Sequence, residues 1–320
     1  RTMMSRTRLL LAVSAAAAAV VSLMAAGPAV AGESEQKLIA VLQSDAPPQE
    51  KAITCKRLAV CGTAAAVPAL APLLEDATLA SWARIALEAI PDPAVDEALR
   101  AAMGKLQGRL LVGVINSIAR RRDAKAVEAL AAKLKDADAE VASAAAAALG
   151  HIGGAEAAKA LEPLLAPAPA GVRSDVAEGC VLCAERFLAE GKADEAAKLY
   201  DTVRSANVSK QRTREAIRGA ILARKAAGVP MLAEMLRSKD KELFSVGLHV
   251  ARELPGPEAT DAVAAELAQA AVERQVTGLG YGLAAIAPAG AVPDMAPAPA
   301  AAPVPRWWHG KKAATVLGCA

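Results

Sequence analysis

The sequence predicts an all-α solenoid of stacked antiparallel helix pairs with an irregular C-terminal tail, and three observations carry that prediction. A short apolar phrase returns along the chain, a second helical pattern closed by glycine or proline follows it, and aromatic residues make up only 2% of an alanine-rich composition. Such a composition suits closely packed helices rather than a sheet. The phrase is Ala66-Val67-Pro68-Ala69-Leu70 with Leu73-Leu74-Glu75-Asp76. It returns as Ala94-Val95 with Ala98-Leu99, as Ala126-Val127-Glu128-Ala129-Leu130 with Leu134-Lys135-Asp136, as Ala157-Ala158-Lys159-Ala160-Leu161 with Leu164-Leu165, and as Gly228-Val229-Pro230-Met231-Leu232. The closing leucines stand at 70, 99, 130, 161 and 232, a steady step followed by a gap wide enough for two units, one of them enlarged. Units that cannot bury their own apolar faces stack on their neighbours, so the period sets the architecture and leaves the partner open.

Residues 1–31 are expected to form a cleavable secretory signal. Met3 or Met4 is the plausible start, Arg6 and Arg8 give a positive n-region, and Leu9 to Ala26 is apolar apart from Ser14 and Ser22. Gly27-Pro28 breaks the helix, and Ala29-Val30-Ala31 supplies the small residues for cleavage after Ala31. The rival reading is an uncleaved anchor, because the apolar stretch approaches the roughly 20 residues that span a bilayer. A periplasmic or secreted chain with no membrane attachment after cleavage is the expectation. The segment carries Arg1, Arg6 and Arg8 and no acid, so the formal charge of +3 falls to zero without it. A neutral mature chain has no global field to hold phosphates, which argues against a nucleic-acid partner.

Within the array each unit reads as two helices. Ala137-Asp138-Ala139-Glu140 forms a capping turn after Asp136, and Val141, Ala144, Ala145, Ala148, Leu149 and Ile152 then recur at helical spacing until Gly153-Gly154. Leu79, Trp82, Ala83, Ala86, Leu87 and Ile90 repeat the pattern up to Pro91-Asp92-Pro93. This order of helix, acidic turn, helix and glycine resembles the HEAT repeat, in particular the short form named after phycobilisome lyases. Leu134 to Gly153 matches it best, and the resemblance covers roughly Glu33 to Ala271. It implies a right-handed α-solenoid over residues 32–271 of a secreted bacterial protein, with the second helices lining a concave binding face. Ala142 and Ser143 stand where the repeat often has arginine, which weakens the expectation of a ladder between repeats from that position.

Residues 171–225 hold a longer pair, in which Ala196, Ala197, Leu199 and Tyr200 look like a tetratricopeptide-type helix. Residues 272–320 read as an alanine-proline tail: Pro288, Pro293, Pro297, Pro299, Pro303 and Pro305 forbid continued helices. Two explanations stand side by side for it, a linker leading to Trp307-Trp308-His309 and an out-of-frame extension.

The candidate chemistry is thin. Cys180 and Cys183 form a CxxC pair, but no second CxxC exists and Ala184 stands where a haem-attachment motif needs histidine. Buried packing is the favoured reading of this pair. Its rival is a Cys180–Cys183 disulfide, since an exported chain meets an oxidising compartment. Cys55 and Cys61 fall on different helix faces, and Cys319 lies in the tail. His151 sits at a helix end and His249 in an apolar helix, neither beside a nucleophile. Gly278-Leu279-Gly280-Tyr281-Gly282 lacks the strand-helix setting of a dinucleotide fingerprint. No catalytic residue, metal site or cofactor is therefore expected. The one binding candidate is basic: Lys210, Arg214 and Arg218 recur at i, i+4 and i+8 and share a helix face. Arg120-Arg121-Arg122 makes a second cluster at a helix end. A solvated face paired with acids such as Glu215 and Asp123 is the bland reading of both. The expected function is a non-catalytic protein-binding scaffold in the cell envelope. The alternatives are the accessory array of a secreted enzyme with a haem or sugar-processing domain, and a phycobilin-lyase-like enzyme.

Overall fold

The computed structural model describes residues 34–254 and 256–269. The expected signal segment, the tail, Cys319 and the Trp307-Trp308 pair lie outside the described residues. Within them every regular element is helical. The chain divides into two compact units, the first ending at Ile152 and the second beginning at Gly153.

In the first unit α1 (Glu35–Gln43) pairs with α2 (Pro48–Cys61), and α3 (Val67–Leu70) with α4 (Ala80–Ala89). Next come α5 (Pro93–Met103) with α6 (Gly108–Arg121), and α7 (Val127–Lys133) with α8 (Ala139–Ile152). The second unit pairs α9 (Ala155–Leu161) with α10 (Ala170–Ala189), α11 (Ala193–Ser205) with α12 (Lys210–Arg224), and α13 (Val229–Arg237) with α14 (Lys241–Glu253). The last helix, α15 (Pro257–Gln269), packs on α13. Within each unit the second helices form a layer of their own: α2 lies on α4, α4 on α6 and α6 on α8, and likewise α10 on α12 and α12 on α14.

The leucine period is the period of the fold. Second helices begin at 48, 80, 108, 139, 170, 210 and 241, with one stretched step where α10 runs for 20 residues. There α11 supplies the unit that the leucine series skips. Leu70, Leu99, Leu130, Leu161 and Leu232 all have zero exposure, and so do Ala83, Ala86, Ala145 and Ala146 on the second helices. Small side chains let neighbouring helix pairs approach closely, while one leucine per unit fills the space between them.

Sequence also dictates where helices stop. Pro68 and Pro72 remove backbone donors, so α3 is a single α-turn flanked by 3₁₀ turns at Ala64–Ala66 and Ala71–Glu75. Aspartates close the turns. Asp92 accepts from the Ala94 backbone N–H at 2.9 Å, Asp123 from Lys125 at 3.0 Å, Asp138 from Glu140 at 2.9 Å and Asp240 from Glu242 at 2.8 Å. After α8, Gly153 and Gly154 adopt φ of +70° and +89°, the left-handed stop that the glycine pair predicts.

Ala142 is buried in α8, and polar links between successive second helices come from other positions. Arg84 of α4 donates to the Gly113 carbonyl of α6 at 3.1 Å, and Ser117 of α6 donates to Glu88 of α4 at 2.7 Å. In the second unit Arg212 of α12 pairs with Glu178 of α10.

Candidate functional site

Among the described residues, the large exposed apolar side chains fall on α2 and α4 of the first unit. On α2 the core side holds Cys55 and Leu58, both fully buried, so Ile53 and Val60, seven residues apart, point the other way. Their exposures are 52% and 89%. On α4 the core takes Ala83, Ala86 and Leu87, leaving Trp82 half-buried and Ile85 47% exposed. Ile53, Val60 and Ile85 are the exposed large hydrophobic side chains among the described residues, and all three fall on these two adjacent helices.

Between the helices runs an open groove of about 340 Å³, formed by the start of α2 with Ala52, Ile53, Lys56, Thr78, Leu79 and Trp82. Of the side chains lining it, only Lys56 is ionisable. Its ammonium lies 4.5 Å from the centre of the Trp82 ring, a cation-π contact that holds the charge over the groove wall. The nearby acid, Asp76, accepts from the backbone N–H groups of Thr78 and Leu79 at 2.7 and 3.1 Å and so caps the turn into α4. Sequence reasoning counted Trp82 among the core positions of its helix and did not single out Ile53, Lys56 or Ile85. The signal was there in Ile53 and Val60, an apolar pair at i, i+7 opposite the Cys55–Leu58 face.

The sequence-predicted basic ridge lies on α12 in the second unit. Lys210 is exposed at the first turn, while Arg214 pairs with Glu242 and Arg218 with Glu253, both on α14. The three share a helix face as their spacing requires, with two guanidiniums engaged by the next second helix. Of the second cluster, Arg121 pairs with Asp96, Arg120 pairs with Glu88 at 3.2 Å, and Arg122 takes the left-handed cap position with φ +54°.

A smaller, more polar groove of about 240 Å³ lies between α10 and α12, where Glu178, Glu185, Glu215, Arg212 and Arg218 surround the edge of Tyr200. Burial, then the Glu185 charge, raises the Tyr200 phenol above its ordinary range, so it stays a neutral hydroxyl. Glu178 and Glu215 both pair with Arg212, so this groove is largely an internal ion-pair network.

Cys180 and Cys183 are both fully buried, three residues apart within the continuous helix α10. Burial pushes the Cys183 thiol up to about 12 and the Cys180 thiol higher still, which suppresses the thiolate required for redox or metal chemistry. His151 occupies the last turn of α8, and the exposed His249 donates from Nδ1 to the Ser245 carbonyl at 2.8 Å. Among the described residues no three His, Cys, Asp or Glu side chains gather as a metal site.

Residues 108–179, from α6 into α10, match the family model described as HEAT repeats. No curated protein matches the chain. Solved structures similar to it include an engineered protein, 20% identical with a TM-score of 0.38, covering 81% of this chain and 80% of its own. The complex of CpcE and CpcF of phycocyanin lyase from Nostoc sp. PCC7120 is 21% identical with a TM-score of 0.35, over 80% of this chain and 97% of that one. A designed armadillo repeat protein is 18% identical with a TM-score of 0.27, over 70% and 100%.

Proposed function

We propose that this HEAT-repeat chain is a non-catalytic scaffold that binds a protein partner on its layer of second helices, at the α2–α4 face. One observation carries the reading: Ile53, Val60 and Ile85 are exposed on two helices that touch, and Ile53 shares a groove with the half-buried Trp82. Isolated exposed hydrophobes are ordinary, but a cluster around a tryptophan-lined groove is the composition of an interface anchor. The leader pattern of residues 1–31 supports placing this scaffold in the cell envelope; N-terminal sequencing of the chain recovered from a periplasm should then begin at Gly32, and an intact leader would contradict export by cleavage.

The scaffold reading is tested by site-resolved crosslinking. A photoreactive benzoylphenylalanine is placed at Ile85 on α4 or at the exposed Glu97 on the first-layer helix α5, in the full chain. The proposal predicts a saturable protein adduct from position 85 that excess unlabelled chain competes away, and none from position 97. Adducts from 97 alone, or from neither position, would overturn it.

A further inference from the structure

We infer that the α2–α4 groove takes an acidic-apolar peptide segment of a protein partner, with an aromatic or aliphatic side chain against Ile53 and Trp82 and a carboxylate on Lys56. The inference deepens the scaffold reading and rests on it for the choice of face.

The sign of the charge comes from the groove itself. Lys56 is its only ionisable lining residue, and the contact with Trp82 holds the ammonium in place before anything binds. A cation already ordered loses less conformational freedom when a carboxylate arrives. Glu50 in the first turn of α2 stands outside the groove lining, and two further acids are occupied. Asp76 is spent on two backbone N–H groups, and Glu88 accepts from Ser117 at 2.7 Å and pairs with Arg120 at 3.2 Å. The same end of the groove is the start of the 14-residue helix α2, whose N-cap residue Pro47 provides no side-chain hydrogen bond. The first turn carries Glu50, whose charge offsets the positive end of the helix dipole, so Lys56 is the charge that the groove wall itself presents. An acid-lined groove would select the opposite partner; here no acid lines the wall.

The apolar half of the recognition follows from size and position. A volume of about 340 Å³ admits one or two side chains rather than a folded domain surface. Exposed Val60 stands one turn beyond Lys56 on α2 and exposed Ile85 one turn beyond Trp82 on α4, so a segment that runs on from the groove along these adjacent helices meets further apolar side chains. The seven residues from Ile53 to Val60 span roughly 10 Å of helix, the length of about three extended residues. A short stretch alternating acidic and apolar residues matches that length and order.

The test uses the full chain and fluorescein-labelled octapeptides read by polarisation. One peptide alternates Leu or Phe with Asp or Glu, a second replaces the acids by Asn and Gln, and a third replaces them by Lys; vesicles of phosphatidylglycerol are a fourth probe. Lys56 is exposed, so Lys56→Glu leaves the fold intact, which a matched thermal melt verifies. The acidic peptide is expected to bind best, about tenfold better than its amide counterpart, with Lys56→Glu weakening it by about tenfold and Lys56→Arg retaining it. Equal binding of acidic and amide peptides, or no effect of Lys56→Glu, overturns the inference. So does binding of the vesicles without binding of the peptide. If Trp82→Ala weakens all peptides alike while Lys56→Glu changes nothing, the acid preference fails and the binding face survives. If neither variant matters and position 85 gives no adduct, both readings fall.

Discussion

Arg121 illustrates how one side chain can tie several elements together. From the C-terminal turn of α6 its guanidinium donates to the Ile90 carbonyl at 2.8 Å and the Asp92 carbonyl at 3.1 Å, beyond the end of α4, and it pairs with Asp96 on α5. Its side chain is 12% exposed, against 76% for Arg120 next to it. Arg121→Ala would remove one of two donors from the Ile90 and Asp92 carbonyls, which keep the Asp92 and Val95 backbone N–H groups, and would break the pairing with Asp96; it should cost about 1–3 kcal/mol in a denaturant titration, whereas Arg120→Ala should change stability by less than about 0.5 kcal/mol. The three consecutive arginines are visible in the sequence as a single basic cluster, but only the fold separates a structural clamp from a surface charge. The cysteines divide in the same way. Burial raises Cys55 to about 11 and Cys183 to about 12 and raises Cys180 further, while Cys61 is exposed. Thiol labelling of the native chain near neutral pH, followed by peptide mapping, should modify Cys61 and spare Cys55, Cys180 and Cys183 until the chain unfolds. Labelling of Cys180 or Cys183 in the folded chain would contradict the packing of α10.

At the scale of the helix, α12 owes its fit to the absence of a side chain. A Cβ on Gly219 would lie 2.3 Å from the Tyr200 ring of α11, so Gly219→Ala should destabilise by about 1–3 kcal/mol through overpacking, despite alanine's better helix propensity. A melting temperature equal to or above that of the parent would contradict this contact. The i, i+4, i+8 spacing made the shared face of Lys210, Arg214 and Arg218 legible. Their acids were not, because Glu242 and Glu253 lie 28 and 35 residues further along, one repeat away. Glu215, the acid that local sequence suggests, is taken by Arg212. The turns respond to pH. The Asp136 carboxyl is held below its ordinary range by the Asp138 backbone N–H and then by Lys133. A depressed carboxylate contributes stability above its unfolded pKa and loses it as pH falls through the folded one. Melting temperature should therefore be insensitive to this group above about pH 5 and fall below about pH 4, less steeply in Asp136→Asn.

For the molecule as a whole, the repeat was the most legible feature, since a leucine that must be buried once per unit prints the period directly into the chain. Leu70, Leu99, Leu130, Leu161 and Leu232 each fill the core of their unit, and the wide last interval resolves into the long α10 and the α11–α12 pair. The binding face was less legible for a physical reason. A core position is constrained by periodicity, whereas a docking surface is defined by which outward residues two helices bring side by side. Trp82 satisfies the periodicity of α4 and still lines a groove, because the neighbouring helix places Ala52, Ile53 and Lys56 against it rather than a closing hydrophobe. The measurement that tests the scaffold account most directly is the affinity of the partner crosslinked at position 85 for the Ile53→Asp, Ile85→Asp double variant, with the thermal melt recorded alongside. Both side chains are about half exposed. The account predicts that the melt stays close to the parent while affinity falls by about tenfold or more; unchanged affinity in a folded double variant would contradict it.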